Sequence, residues 1–190
     1  MRCIICYNFS FLIICNNCLS NIKITPRIRE LDGFKVYSFY DFSEVSFLLS
    51  LKYEYIGSKV YSMLSQKVLS YTQNILNSDI RFYGVAIDDK VNNKGYSHSA
   101  ILLSYLKKCN IIPMYNTLIS TNNVDYAGKS LEFREKNPRN FVLKRNIYNK
   151  DIVLFDDIIT TGLTIKEAID TINNSGGNAH FAFVLSDAKY

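Results

Sequence analysis

The sequence predicts an α/β protein, a parallel sheet flanked by helices in the Rossmann-like manner, with a small amino-terminal module built on four cysteines. Three observations carry this. The run Ile152-Val153-Leu154-Phe155 is continuous and apolar, as a strand buried on both faces of a parallel sheet must be. Further short apolar runs alternate with helical patterns along the chain. At the amino end, Cys3, Cys6, Cys15 and Cys18 stand as two C-x-x-C pairs.

Such paired thiolates can close a tetrahedral site around Zn2+ from two short knuckles, so residues 1–26 are expected to form a zinc-ribbon-like module in which the metal is structural. A segment this short can hardly fold alone without a metal or a covalent staple. Disulfides and a redox pair are the alternatives. Disulfides imply an oxidising compartment, yet the apolar run Phe11 to Ile14 is too short for the apolar core of a signal peptide. A cytoplasmic protein without membrane insertion is therefore expected.

The boundary falls near Pro26. Residues 27–50 read as a hairpin or linker, because Gly33 to Tyr40 alternates and is aromatic, and residues 51–190 read as the main domain. Within it, Tyr55 to Gln73 places Ile56, Val60, Met63, Leu64, Val68 and Leu69 at helical spacing. Tyr83 to Ile87 is expected to be a strand, Ala100 to Lys108 a helix, Ile111 to Tyr115 a strand and His180 to Leu185 the final strand. Cys109, beyond a helix end, reads as a packed thiol.

The apolar run at Ile152 ends in Asp156 and Asp157, followed by Thr160-Thr161-Gly162 and a helix. Leu163, Ala168, Ile169 and Ile172 supply that helix's apolar spacing, and Gly176-Gly177 marks its stop. Open α/β sheets hold ligands at the carboxyl ends of their strands. Carboxylates accept hydrogen bonds from sugar hydroxyls, whereas amides at a helix start, with threonine hydroxyls, hold a phosphate. The stretch therefore reads as a site for a phosphorylated sugar. A P-loop is excluded, since no G-x-x-x-x-G-K-[ST] string exists. A receiver-like domain would not need a Thr-Thr-Gly turn directly after its acids.

These residues resemble the 5-phosphoribosyl-1-pyrophosphate (PRPP) loop of the type I phosphoribosyltransferases: four apolar residues, two acids, two variable residues, then Thr-Thr-Gly. The resemblance implies that Asp156 and Asp157 contact the ribose hydroxyls and that Thr160, Thr161, Gly162 and Thr164 cradle the 5′-phosphate. Together with the four-cysteine module, the chain resembles the ComF family, associated with DNA uptake in natural transformation (competence). Leu51-Lys52-Tyr53 with Gly57 resembles that family's Lys-Tyr segment, Gly95-Tyr96-Ser97-His98 occupies the place of its Arg-Gly-Phe-Asn-Gln string, and Gly128, Arg134 and Asn137 fit its later loop.

There are departures. Lys94 stands where that family has arginine, His98 where it has glutamine, and Tyr126 replaces another glutamine. The strand from Tyr83 runs into Asp88-Asp89-Lys90, where two carboxylates would repel a pyrophosphate unless Mg2+ lies between or Lys90 and Lys94 offset them. Phosphate-sugar recognition is thus better supported than turnover. If turnover occurs, Mg2+ with PRPP, Asp156, Asp157 and a basic residue from the segment Tyr126 to Arg139, Arg134 before Lys129, are expected to carry a pentosyl transfer.

The net charge of +5 and the 14 tyrosines suit an anionic partner such as single-stranded DNA, with Arg2, Lys23, Arg27 and Arg29 near the cysteines as the place for contacts. The family resemblance also implies other DNA-uptake proteins as partners. The alternatives are a metabolic phosphoribosyltransferase that acts on a base, and a non-catalytic regulatory domain that binds PRPP or a nucleotide.

Overall fold

The computed structural model describes residues 1–72, 81–122 and 130–189; Gln73, Tyr126, Gly128 and Lys129 lie outside the described residues. Six strands form the main sheet: β1 Arg27–Leu31, β2 Phe34–Asp41, β3 Phe82–Ala86, β4 Ile111–Pro113, β7 Asp151–Ile159 and β8 Asn178–Asp187. Their order is β1-β2-β8-β7-β3-β4, and every pairing is parallel except β1 with β2. Strands β5 Leu118–Ser120 and β6 Phe141–Leu143 form a separate antiparallel pair.

Strand β7 explains its own apolar run. Val153 and Phe155 face the layer made by helices α2 Phe42–Ser50, α3 Gly57–Thr72 and α4 His98–Leu106, whereas Ile152 and Leu154 face helix α6 Leu163–Asn174. All four are fully buried, as a strand covered on both sides requires. The α6 stripe is set by Ile165, Ala168 and Ile172, with Leu163 and Ile169 only half-buried. That helix stops at Gly176, whose positive φ of 79° suits a residue without a Cβ.

The hairpin β1–β2 turns through Asp32 and Gly33, both at positive φ (51° and 87°), the type I′ geometry that matches strand twist. It is an integral part of the sheet, since β2 pairs in parallel with β8 from Lys35↔Phe181 to Asp41↔Asp187. A buried aromatic cluster of Phe39, Phe155 and Phe183 fixes that register from one face.

The cysteine segment carries one short helix, α1 Asn16–Asn21, and a bridge between Arg2 and Phe9. It packs on α3: Ile13, Ile14, Cys18 and Ile22 share a core with Val60, Leu64 and Val68. Lys67 reinforces the dock by donating to the carbonyls of Leu19 (2.7 Å), Ser20 (3.3 Å) and Ile22, the acceptors left open at the end of α1. Among the described residues, no helix is long and apolar enough to cross a membrane.

Candidate functional site

The site forms where the sheet opens. Strand β3 pairs with β7 only as far as Ala86↔Phe155, whereas β8 follows β7 to Ile159↔Asp187. From Asp156 onward one edge of β7 is uncovered. The chain continues in opposite directions from this point, through α4 to β4 and through α6 to β8, which makes it a topological switch point. A cleft of about 690 Å³ lies there, and its lining includes Asp156, Asp157, Thr160 and Thr164.

The acids are unequal. Asp157 is 5% exposed, and its Oδ2 accepts from the Lys52 ammonium at 3.0 Å and the Tyr61 hydroxyl at 3.1 Å, with His98 Nε2 at 3.8 Å. Its Oδ1 accepts from the Ile158 amide at 2.9 Å. Burial alone would raise its pKa, but Lys52, then His98, outweigh that and hold it below the usual carboxylate range. Asp156 goes the other way: burial first, then the neighbouring Asp157 charge, push it well above that range. His98, at the first position of α4, has its pKa lowered by burial against the opposing pull of Asp157.

The Thr-Thr-Gly turn is held from several sides. Gly162 has φ +88°, a conformation that demands glycine, and the tip of the Leu31 side chain of β1 would stand 2.9 Å from a Cβ there. Arg134, on the short helix α5 Leu131–Lys136, donates to Thr160 Oγ1 at 2.5 Å. The structure thus brings Arg134 to the Thr-Thr-Gly end of the cleft. Lys129, the second basic candidate, lies outside the described residues.

The loop after β3 differs from the expectation of two repelling carboxylates. Asp89 is 8% exposed and is spent on the Asn116 amide at 2.6 Å, while Asp88 accepts from the Ser120 amide at 2.9 Å and lies 3.8 Å from Arg139. Lys90 lines the cleft and donates to Ser120 Oγ at 3.1 Å. Lys94 does not offset these acids: its ammonium lies 4.2 Å from the centre of the Tyr55 ring.

At the far end, the four cysteine sulfurs lie within 4.8 Å of one another. Cys6 and Cys15 are 3.8 Å apart, matching the edge of a tetrahedron with metal–sulfur bonds of about 2.3 Å. All four are free thiols, so the cluster fits zinc. Burial raises Cys3, yet hydrogen bonds from the Cys15 amide and its neighbours bring it down to about 6, while burial and the adjoining thiols push Cys18 up to about 12. Two of the four cations assigned to DNA are engaged elsewhere. Arg27 pairs with Asp41 at 2.9 Å, and Arg29 binds the Thr160 carbonyl and Asp187.

Tyr61, Arg139 and the Lys52–Asp157 pair are site features that the sequence did not mark. Lys52 stood in a recognisable segment, but nothing local signals a partner 105 residues away.

No family model matches the chain. Over 67 residues, 35% of this chain, it is 31% identical to the orotate phosphoribosyltransferases of Buchnera aphidicola subsp. Acyrthosiphon pisum strains Tuc7 and 5A. The match spans about a third of those relatives' length, 32%. Among solved structures, the chain resembles a hypoxanthine phosphoribosyltransferase from Staphylococcus aureus at 15% identity, TM-score 0.42, covering 67% of this chain and 62% of that one. It also resembles an adenine phosphoribosyltransferase from Leishmania donovani at 11% identity, TM-score 0.41, covering 86% and 77%. The fold is an α/β fold with a mostly parallel sheet flanked by helices, and over the matched stretch the sequence is similar to orotate phosphoribosyltransferases.

Proposed function

We propose that the cleft binds PRPP and that the chain is a ComF-like protein, a PRPP-binding domain with a zinc module, acting in DNA uptake. The observation that supports the ligand is the meeting of both acids, Thr160, Thr164 and the basic groups Lys90, Arg134 and Arg139 around one cleft. In this reading Asp156 and Asp157 accept from the ribose hydroxyls, and the turn from Thr160 to Thr164, with the first amides of α6, holds the 5′-phosphate. Lys90 and Arg139 face the pyrophosphate. Mg2+ is a hard cation that takes oxygen ligands, and Asp156 is the carboxylate not covered by Lys52, so the residues fit. Its chemistry there is to neutralise the leaving pyrophosphate.

If transfer occurs, the C1–oxygen bond to pyrophosphate breaks as a bond to the acceptor forms, and positive charge develops on the ring. In this reading Asp157, held by Lys52 and Tyr61, positions the ribose for that displacement. Calorimetry with PRPP, with and without Mg2+, tests the ligand. Micromolar binding that Asp156→Asn weakens at least tenfold is expected, and no binding under either condition rejects the reading.

The DNA role rests on the exposed rings of Tyr7, Phe9 and Phe11 on the cysteine module, 69%, 75% and 87% exposed, beside Arg2. Rings of this kind stack bases, and neighbouring cations make the affinity salt-dependent. Anisotropy with a labelled single strand should report binding at low salt that Phe9→Ala and Phe11→Ala reduce; none at low salt rejects this half. A second reading, transfer to a base, is favoured by the identity with orotate phosphoribosyltransferases. Pyrophosphate release with Mg2+, PRPP and a panel of bases that includes orotate would establish it; binding without release would favour a regulatory ligand.

A further inference from the structure

We infer that Arg29, on the edge strand β1, is a positioning residue of the phosphate turn; the inference rests on reading the cleft as a PRPP site. Its Nη1 donates to the Thr160 carbonyl at 2.6 Å and its Nη2 to the Thr161 carbonyl at 3.3 Å, across 131 and 132 residues of sequence. The guanidinium is also paired with Asp187 at 3.3 Å, with side-chain exposures of 15% and 2%. Asp187 is itself fixed by the Lys189 amide at 2.9 Å. The fork therefore has one rigid carboxylate behind it and two turn carbonyls in front.

The consequence follows from peptide geometry. No peptide bond among the described residues is cis, and in a trans peptide the carbonyl and the following N–H point in opposite directions. Drawing the Thr160 and Thr161 carbonyls towards β1 turns the amides of Thr161 and Gly162 away from it. In that orientation those amides can act with the amides at the start of α6 as donors to one anion, beside the Leu163 amide that donates to Thr161 Oγ1 at 3.4 Å. Leu31, two residues along β1, packs directly under Gly162, so the same strand fixes the turn both by hydrogen bonds and by contact. A lysine could supply the charge but not the two-pronged geometry. The amino-terminal hairpin is thus a component of the phosphate subsite.

The test separates the two ends of the ligand. Ribose 5-phosphate probes the turn, and Mg2+-pyrophosphate probes the opposite wall. Because Arg29→Ala strands the buried Asp187, the double variant Arg29→Ala/Asp187→Asn is compared with Asp187→Asn alone. The double variant should bind ribose 5-phosphate about tenfold or more weakly, from the loss of charge-assisted hydrogen bonds, and Mg2+-pyrophosphate within about twofold. Arg29→Lys should not restore the ribose 5-phosphate affinity. Equal losses for both probes, no loss, or full rescue by lysine would overturn the inference. If the wild-type protein binds neither probe, the PRPP reading fails by itself. Amide exchange over residues 160–164 then decides for Arg29: faster exchange in the double variant than in Asp187→Asn sustains the inference, and unchanged exchange overturns it.

Discussion

Replacing Lys52 by methionine keeps the apolar stem and removes the ammonium from Asp157. The pair is 3.0 Å apart with side-chain exposures of 21% and 6%, so the carboxylate would be left largely out of water. Breaking a buried pair from one side costs about 3–5 kcal/mol. The Tyr61 hydroxyl and Ile158 amide still donate to Asp157, which puts the expected loss near the low end, about 3 kcal/mol at pH 7.5. In the wild type, Asp157 has a depressed pKa; its contribution is present above the unfolded value of about 3.9 and is lost only as pH falls through the lower folded value. In the variant, burial acts without Lys52 and raises that pKa, so the charged form is costly at neutral pH and protonation relieves it on acidification. Lys52, with its pKa raised, contributes fully throughout this range, and losing it lets Asp156 rise further, which acts in the same direction. The stability difference should therefore shrink between about pH 7.5 and pH 4.5. Urea unfolding at both values measures it. A difference under about 1 kcal/mol at pH 7.5, or one that grows on acidification, refutes the account.

Four further outcomes are expected. A Cβ at Gly57 would stand 2.1 Å from the Tyr96 hydroxyl and 2.2 Å from the Leu51 carbonyl, so Gly57→Ala should cost about 2–4 kcal/mol in urea unfolding. Gly33→Ala, with φ +87° but no atom within 4 Å, should cost only about 1 kcal/mol. Lys67→Met removes the cation that holds the end of α1 and should speed proteolysis within residues 1–22 while the sheet resists. Metal analysis should find close to one zinc per chain, and either a chelator or Cys18→Ser should lower the melting temperature.

The sequence made the long elements legible and, apart from β4, left the three-residue strands hidden. Strands β3, β7 and β8 and helices α3, α4 and α6 carry enough periodic residues to be read, with bounds shifted by up to four positions. Strands β5 and β6 have three residues each, too few for alternation to register. Helix α2 was read as linker because its start signal is a side chain that looks like part of the hairpin: Asp41 ends β2 and caps α2 by accepting from the Ser43 amide at 2.9 Å. In the site, residues bound together by one turn of chain were readable, and residues joined across the fold were not. Tyr61 reaches Asp157 over 96 residues, and its pattern position marked it only as part of a helix.

The two adjacent acids make sense once the parity of β7 is considered. Successive side chains of an extended strand point to opposite faces. Asp157 shares the parity of Val153 and Phe155 and so meets Tyr61 of α3 and His98 of α4; Asp156 shares that of Ile152 and Leu154, the face of α6 and the phosphate turn. A single carboxylate could serve only one of these layers. The division also answers an electrostatic difficulty, because a polyanion such as PRPP should be repelled by two carboxylates side by side. One of them is neutralised by Lys52, and the other, with its pKa raised, holds its proton more readily. Such a pair titrates as a unit. On the proposed reading, the pair therefore presents less negative charge to an arriving phosphate than two free carboxylates would.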